Sequence, residues 1–285
     1  MRNKMKKIWP YIFVAPAFIH ILIFRVYPTI QTLFLSLTDS QKLNNASFTL
    51  TNFKGLFNPN FLEVFFNTIY YVSGGMFLVA PGALIIAILL DKGKGQGFFR
   101  SVYFYPFTVV MVAAGIIWGY GFRVDGFINE IIGILGISSK AWLGGSGKLA
   151  MPALIFTTVW RFVGYFAVIY LSGLQSIPEY LYDAAIVDGA NPIQTFWHVT
   201  VPQLKPITLF IVVMSSINLL RQFAIPKVMT DGGPFNQTNV LSLEIYKQAF
   251  TYFNINQAAA GTIILIILAT GFSIIQFKIS KGMRG

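Results

Sequence analysis

The chain contains no cysteine. That single absence removes disulfide frameworks, thiolate zinc sites and cysteine nucleophiles together. Histidine is almost as scarce, with only His20 and His198, too few to build a metal centre alone. Charge is thin as well: 11% of the 285 residues are Asp, Glu, Lys or Arg, against about 25% in soluble domains. A chain so poor in charge cannot cover a water-facing surface, which excludes an ordinary cytosolic enzyme. Acids are the scarcer sign, 10 against 21 Lys and Arg. The resulting net charge of +11 would suit nucleic acid only if the cations shared one solvated face, and apolar runs separate them instead. No phosphate-binding loop is present. Gly144-Gly145-Ser146-Gly147-Lys148-Leu149 is the nearest decoy, without the first Gly at the required spacing or the Ser/Thr after Lys. No nucleophile elbow lies near either histidine.

What the chain has is apolar length: 55% of its residues are hydrophobic. A bilayer-crossing helix needs about 20 mostly apolar residues, and six stretches qualify, at 9–37, 62–90, 102–122, 149–175, 203–224 and 257–278. None alternates in polarity as a barrel strand does. The first stretch follows four cations, and Ala15-Pro16-Ala17 mimics a signal cleavage site. Its apolar run continues to Leu37, so a retained first span is expected. With no linker, repeat or low-complexity tract, residues 1–285 read as one all-α membrane domain with six transmembrane helices.

Orientation follows from Lys and Arg near the span ends. Arg2, Lys4, Lys6 and Lys7 precede the first span; Lys92, Lys94 and Arg100 fall in the 91–101 loop; Lys278, Lys281 and Arg284 fall in the tail. With six spans these segments share one side, expected to be cytoplasmic, which puts both termini inside. The opposing loops at 38–61, 123–148 and 225–256 hold seven Lys and Arg over many more residues. The remaining cytoplasmic loop, 176–202, holds none, so something other than orientation shaped it.

Residues 176–206 read SIPEYLYDAAIVDGANPIQTFWHVTVPQLKP, and local chemistry predicts two short helices. Ser176 to Glu179 has capping-box spacing, with Pro178 early in the first turn. Gly189 suits the left-handed position that ends the first helix. Asn191-Pro192-Ile193-Gln194 repeats the start signal, and Pro202 is expected to close the second helix, which His198 positions. Asp183, Ala184 and Ala185, flanked by Tyr180 and Tyr182, give small side chains for close approach and aromatic anchors. A lipid-binding amphipathic segment would instead carry Lys and Arg.

At these residues the chain resembles the permeases of binding-protein-dependent ABC importers. Asp183-Ala184-Ala185, then Gly189, then Val199-x-Val201-Pro202 matches that family's cytoplasmic "EAA" loop, with Asp183 standing where Glu is usual. Asp188-Gly189-Ala190 and Pro202-x-Leu204-x-Pro206 are similar to the carbohydrate-uptake, maltose and glycerol-phosphate type branch, as are Val14-Ala15-Pro16-Ala17 with Tyr27-Pro28, and Gly232-Gly233-Pro234 through Thr238. The resemblance implies a type I importer permease fold. The coupling helix at 178–189 would dock on an ATPase subunit through Asp183, Ala184, Ala185, Asp188, Gly189 and Pro202. It further implies a heterodimer with a second permease, two ATPase subunits that hold ATP and Mg, and an extracytoplasmic solute-binding protein meeting Gly232, Gly233 and Pro234. The chain itself is then a transport subunit rather than an enzyme, without cofactor, metal or nucleic-acid partner, and with membrane lipid around it. Sugar or oligosaccharide is the expected cargo, carried by alternating access. A polyamine or glycerol phosphate permease is the alternative, and a secondary transporter a remoter one, since the span centres are nearly devoid of Asp and Glu.

Substrate contacts are expected from polar side chains inside spans, where they are costly and so face a cavity or a partner. Candidates are Arg25 and Tyr27; Asn67, Tyr70 and Tyr71; Arg161 and Tyr165; and Asn218, Arg221 and Gln222. Aromatics stack on sugar C–H faces and amides pair with hydroxyls, although Tyr70, Tyr71 and Trp118 equally suit an interfacial aromatic belt. Arg25, Arg161 and Arg221 together raise the idea of an acidic saccharide, because guanidinium grips carboxylates bidentately. Snorkelling, or a pair with the second permease, accounts for them equally well. The Gly115-x-x-x-Gly119 pattern reads as helix packing.

Overall fold

The computed structural model describes residues 2–39, 47–91 and 96–282. Lys92, Lys94 and Arg284 lie outside the described residues. Among the described residues, five helices are long and apolar enough to cross a membrane, and a bent pair makes a sixth. The backbone forms two compact units, one of residues 1–58 and 244–266, the other of 59–243 and 267–285.

In the first unit, α1 (Arg2–Ile21), a π-helical turn (Leu22–Val26) and α2 (Tyr27–Ser36) form one continuous span. The π turn has a local cause. Proline lacks the N–H of a normal turn and its ring crowds the carbonyl four residues back. Widening the turn just before Pro28, with Tyr27 N–H bonded to the Leu22 carbonyl, relieves that crowding. The last carbonyls of a helix lack the full set of intrahelical donors, and here side chains add to them. Asn52, in α3 (Thr51–Leu56), donates to Ser36 and Thr38 at 3.0 and 2.7 Å, and Asn256 donates to Leu35 and Thr38 at 3.1 and 2.8 Å.

The second unit holds α4 (Pro59–Asp91), α5 (Gln96–Thr108), α6 (Met111–Gly121), α7 (Phe127–Ile134), α8 (Ala150–Leu174), α9 (Glu179–Val187), α10 (Pro192–Thr195), α11 (Val201–Leu220) and α12 (Ala224–Met229). Helices α13 (Leu241–Phe250) and α14 (Ile255–Gly282) each run through both units. The centre is α8, with 61% of its most apolar stretch buried against 0% for the first span. Ala80, Ala83 and Ala87 of α4 meet Phe162, Phe166 and Tyr170 of α8, and Leu204 and Ile211 of α11 complete the cluster. Lipid tails are as apolar as leucine, so helices associate in a bilayer through close packing of small residues. Gly164 is the extreme case: a Cβ there would fall on the Tyr103 carbonyl oxygen, so α5 and α8 touch backbone to backbone.

Three expectations are corrected. The third span, expected as a single stretch over 102–122, is α5 and α6 meeting at 95°, because Pro106 donates no N–H and Val110 is extended with ψ 136°. The fifth span is not confined to 203–224. It is helical from Pro192 to Leu220. Pro202 therefore does not close a helix: a second π-helical turn (Phe196–Thr200) precedes it, with Val201 N–H bonded to the Phe196 carbonyl, the same accommodation seen at Pro28. Finally, Ser176 and Glu179 form no capping box. Pro178 is the N-cap of α9 without a side-chain bond, and the Ser176 hydroxyl donates back to the Gly173 carbonyl at 2.7 Å, because residues 175–177 continue the last turn of α8.

Candidate functional site

The 176–202 loop is built almost entirely from short-range bonds. Helix α9 ends with Gly189 at φ +76°, a conformation that costs a side-chain-bearing residue roughly 1–2 kcal/mol. There Gly189 N–H bonds to the Ile186 carbonyl at 3.0 Å and Ala190 N–H to the Ala185 carbonyl at 2.9 Å, the paired bonds of a Schellman ending. The next helix starts with a complete capping box: Gln194 N–H donates to Asn191 Oδ1 and Asn191 N–H to Gln194 Oε1, both at 2.9 Å. His198 Nδ1 donates to the Gln194 carbonyl at 2.9 Å, so His198 braces the second helix as expected. Tyr182 and Thr200 join the two arms at 3.2 Å.

This rigid hairpin turns apolar side chains outward. Val187 is 86% exposed and Ile193 72%, with Tyr180, Ile186 and Trp197 also exposed. One groove between the arms is lined by Ala184, Ala185, Asp188, Gly189, Gln194 and His198. Asp183 lies instead in a second groove with Glu179, Tyr182, Pro192 and Phe196. The sequence motif thus divides between two faces, and Pro202 lines neither.

The 231–239 loop is held differently. Asp231, Gly232, Phe235 and Asn236 all have positive φ. Thr238, fully buried, donates to the Gly233 carbonyl at 2.6 Å and pairs with the Thr230 hydroxyl at 2.7 Å. Asn67 of α4 donates to the Asn236 and Asn239 carbonyls at 2.9 and 3.2 Å, and Leu241 N–H donates to Thr68 at 2.8 Å. The Gly-rich 144–147 stretch packs on the same loop, where Gln237 in its hydrogen-bonded orientation donates to the Ser146 and Gly147 carbonyls at 3.3 and 3.2 Å. Gly232 is buried, Gly233 and Pro234 are half-buried, and Phe235 is the exposed apolar tip.

The span candidates do not converge. Tyr71 is buried with its hydroxyl 2.5 Å from that of Thr158. Asn67 braces a loop, and Asn218 donates to the Met214 carbonyl within its own helix at 2.9 Å. Gln222 is buried and donates to Met111 Sδ at 3.2 Å. Arg25 lies in the π turn of the first unit and, like Tyr27 and Arg221, is exposed on the chain. Tyr70 is exposed and lines an apolar groove with Gly74, Phe77, Trp142 and Phe156. Arg161 donates to the carbonyls of Phe107 and Val109, both at 3.0 Å, beneath the corner of the third span, and Tyr165 stacks on Phe107 at 4.3 Å.

Sequence reasoning missed Asn129, which is buried and makes five bonds. Its amide donates to the carbonyls of Arg123, Val124 and Lys140, while its oxygen accepts from Lys140 N–H and Trp142 Nε1. The signal was an Asn, followed by Glu130, on a short and mostly apolar helix, FINEIIGI.

With this geometry in view, the comparisons with known proteins are decisive. The family described as binding-protein-dependent transport system inner membrane component matches residues 10–285. The chain belongs to this family. It is a multi-pass permease subunit of an ABC importer in the inner membrane, a transport component whose action depends on a binding protein. Among its relatives, the probable ABC transporter permease protein YurN of Bacillus subtilis is 34% identical, over 96% of this chain and 97% of the relative. The arabinooligosaccharides transport system permease protein AraP of the same organism is 31% identical, over 98% and 91%. The fold matches a chain in the crystal structure of a bacterial ABC transporter involved in import of the acidic polysaccharide alginate, with TM-score 0.85, 20% identity and 99% coverage of both chains.

Proposed function

We propose that this permease carries a sugar or oligosaccharide inward by alternating access. It works as a heterodimer with a second permease, on two separate ATPase subunits that hold ATP and Mg. Residues 1–285 act as one transmembrane domain with both termini cytoplasmic. The observation that carries the reading is the 176–202 hairpin: locally capped at both helices, without Lys or Arg, and lined outward with Ile186, Val187, Ile193 and Trp197. An apolar protrusion of this kind suits a protein cleft. Ala184, Ala185, Asp188 and Gly189 form one contact face of the hairpin and Asp183 the other, with Pro202 setting the start of α11. On the opposite side, Gly232, Gly233 and Pro234 shape the loop that presents Phe235 to the binding protein.

The relative named for arabinooligosaccharides supports a saccharide cargo. Of the three arginines that suggest an acidic sugar, Arg161 gives Nε and Nη2 to two backbone carbonyls, which leaves fewer donors for an acid, and a neutral sugar is the cargo proposed. Tyr70 and Tyr165 remain the aromatic candidates for the path, and Arg221 a charged one. The test purifies the assembled transporter and measures ATP hydrolysis with the cognate binding protein and neutral oligosaccharides, acidic oligosaccharides or glycerol phosphate. Stimulation by neutral saccharides is expected; stimulation by glycerol phosphate alone would overturn the cargo. Gly189→Asp adds strain and charge to the hairpin and is expected to cut uptake at least about tenfold, a coupling loss of the usual 1–3 kcal/mol. Normal ATPase assembly and uptake in that variant would overturn the docking role.

A further inference from the structure

Helix α8 runs without interruption from Ala150 to Leu174, and after four intervening residues α9 begins at Glu179. Its other grip is on the corner of the third span. At that corner Pro106 and the extended Val110 interrupt the helical bonds, and a backbone carbonyl left unsatisfied at membrane depth costs several kcal/mol. Arg161 supplies the missing donors, Nε to Val109 and Nη2 to Phe107. Its guanidinium also lies 5.1 Å from the ring centroids of both Phe107 and Phe162. A cation in a span is itself expensive; the two carbonyls offset part of that cost, while Nη1 is buried without a hydrogen-bond partner. Gly164 beneath Tyr103 and Tyr165 on Phe107 extend the grip along the same face of α8. Beyond the corner, α6 packs on α12, with a Cβ at Gly115 placed only 3.2 Å from Val228. Helix α12 ends at Met229, directly before the 231–239 loop.

We infer that Arg161 is a positioning residue that ties the corner of the third span to α8, so that α6 moves with α8 when the 176–202 loop is displaced. The contacts form one packed route from that loop through α8, the corner, α6 and α12 to the 231–239 loop. This rests on the proposed docking role of 176–202. Lysine cannot replace the tie, because a point-like ammonium lacks the planar fork that spans two carbonyls and lies between rings.

The experiment exploits the absence of cysteine. Spin labels at Tyr120→Cys, on the outer end of α6, and Leu149→Cys, beside the start of α8, report their separation in the assembled transporter, nucleotide-free and trapped with ATP and vanadate. With Arg161 intact, one narrow separation is expected in both states. Arg161→Gln and Arg161→Lys are each expected to broaden or shift it on trapping. Both are also expected to lower the ratio of binding-protein-stimulated to basal ATP hydrolysis at least about fivefold, the lower end of measured couplings. Unchanged separations in the Gln variant overturn the inference. Full stimulation in the Lys variant also overturns it, since charge alone would then suffice. If the Gln variant fails to assemble, the Lys variant decides. Normal assembly in Gly189→Asp would remove the docking reading while leaving the label distances free to establish or refute the tie.

Discussion

The 176–202 and 231–239 loops solve the same problem in opposite ways. In the first, every bond that shapes a helix end joins residues at most five apart, from Ala190 to Ala185 and from Gln194 to Asn191. The second is held by bonds across 169, 172 and 173 residues, from Asn67 and Thr68. The first turns its apolar side chains outward and keeps its shape by itself. The second buries its polar residues Thr238 and Asn239 and takes its shape from α4. A locally capped hairpin can be displaced as a body without losing its own structure. A loop fastened to a span helix moves only when that helix does. That difference suits a part that receives motion and a part that displays it.

The largest effect is expected where bracing by one side chain is most concentrated. The 123–142 loop lies between the two plans: Asn129, its hub, reaches partners 5 to 13 residues away. Asn129→Leu keeps the approximate volume but removes the side-chain partner of three carbonyls, one backbone N–H and the Trp142 indole; of these the Arg123 carbonyl keeps the Gly126 N–H. Partial rehydration offsets some of this, and a loss of about 3 kcal/mol is expected. Thermal unfolding of the purified complex measures it. A loss below about 0.5 kcal/mol would mean that the loop keeps its shape without its hub, as the 176–202 hairpin does without partners from other spans.

Asn191→Ala tests the other side of the contrast. Removing a capping side chain costs about 0.5–2 kcal/mol, and here the loss should stay local. Hydrogen exchange is expected to quicken at Ile193, Gln194 and Thr195, while amides in 231–239 keep their protection. Spread of the change beyond the hairpin would mean that the 176–202 loop is not self-supporting.

This division explains what was legible in the sequence. Spans could be read because apolar length is a property of consecutive residues, and the Gly189 ending and the Asn191 start because their partners lie within five positions. The 95° corner was hidden: Pro106 was visible, but proline is tolerated in membrane helices when a neighbour restores the lost bonds, and that neighbour, Arg161, comes from another span. Asn67 and Tyr71 looked like path residues for the same reason, since nothing near them announces Asn236 or Thr158 as partners. The π turns before Pro28 and Pro202 lie between these cases. Pro202 reads as a stop and Pro28 lies within an unbroken apolar run, yet the helix continues through both in the same way.

The smallest expected effect separates pattern from geometry. Ser176 and Glu179 have the spacing of a capping box, and if the serine hydroxyl capped α9, Ser176→Ala would cost about 0.5–2 kcal/mol. The hydroxyl instead donates to the Gly173 carbonyl at the end of α8, on an exposed residue where water can replace it. Pro178 already fixes the extended entry to α9, with φ −61° and ψ 133°, and Leu181 N–H finds the Pro178 carbonyl at 3.2 Å. Ser176→Ala is therefore expected to change stability by no more than about 0.5 kcal/mol and to leave exchange at Glu179, the amide a capping box would protect, unaltered. Faster exchange at that amide would restore the capping box. It would also make the start of α9 depend on a side chain that belongs to α8, so the hairpin would no longer be independent of the helix that carries it.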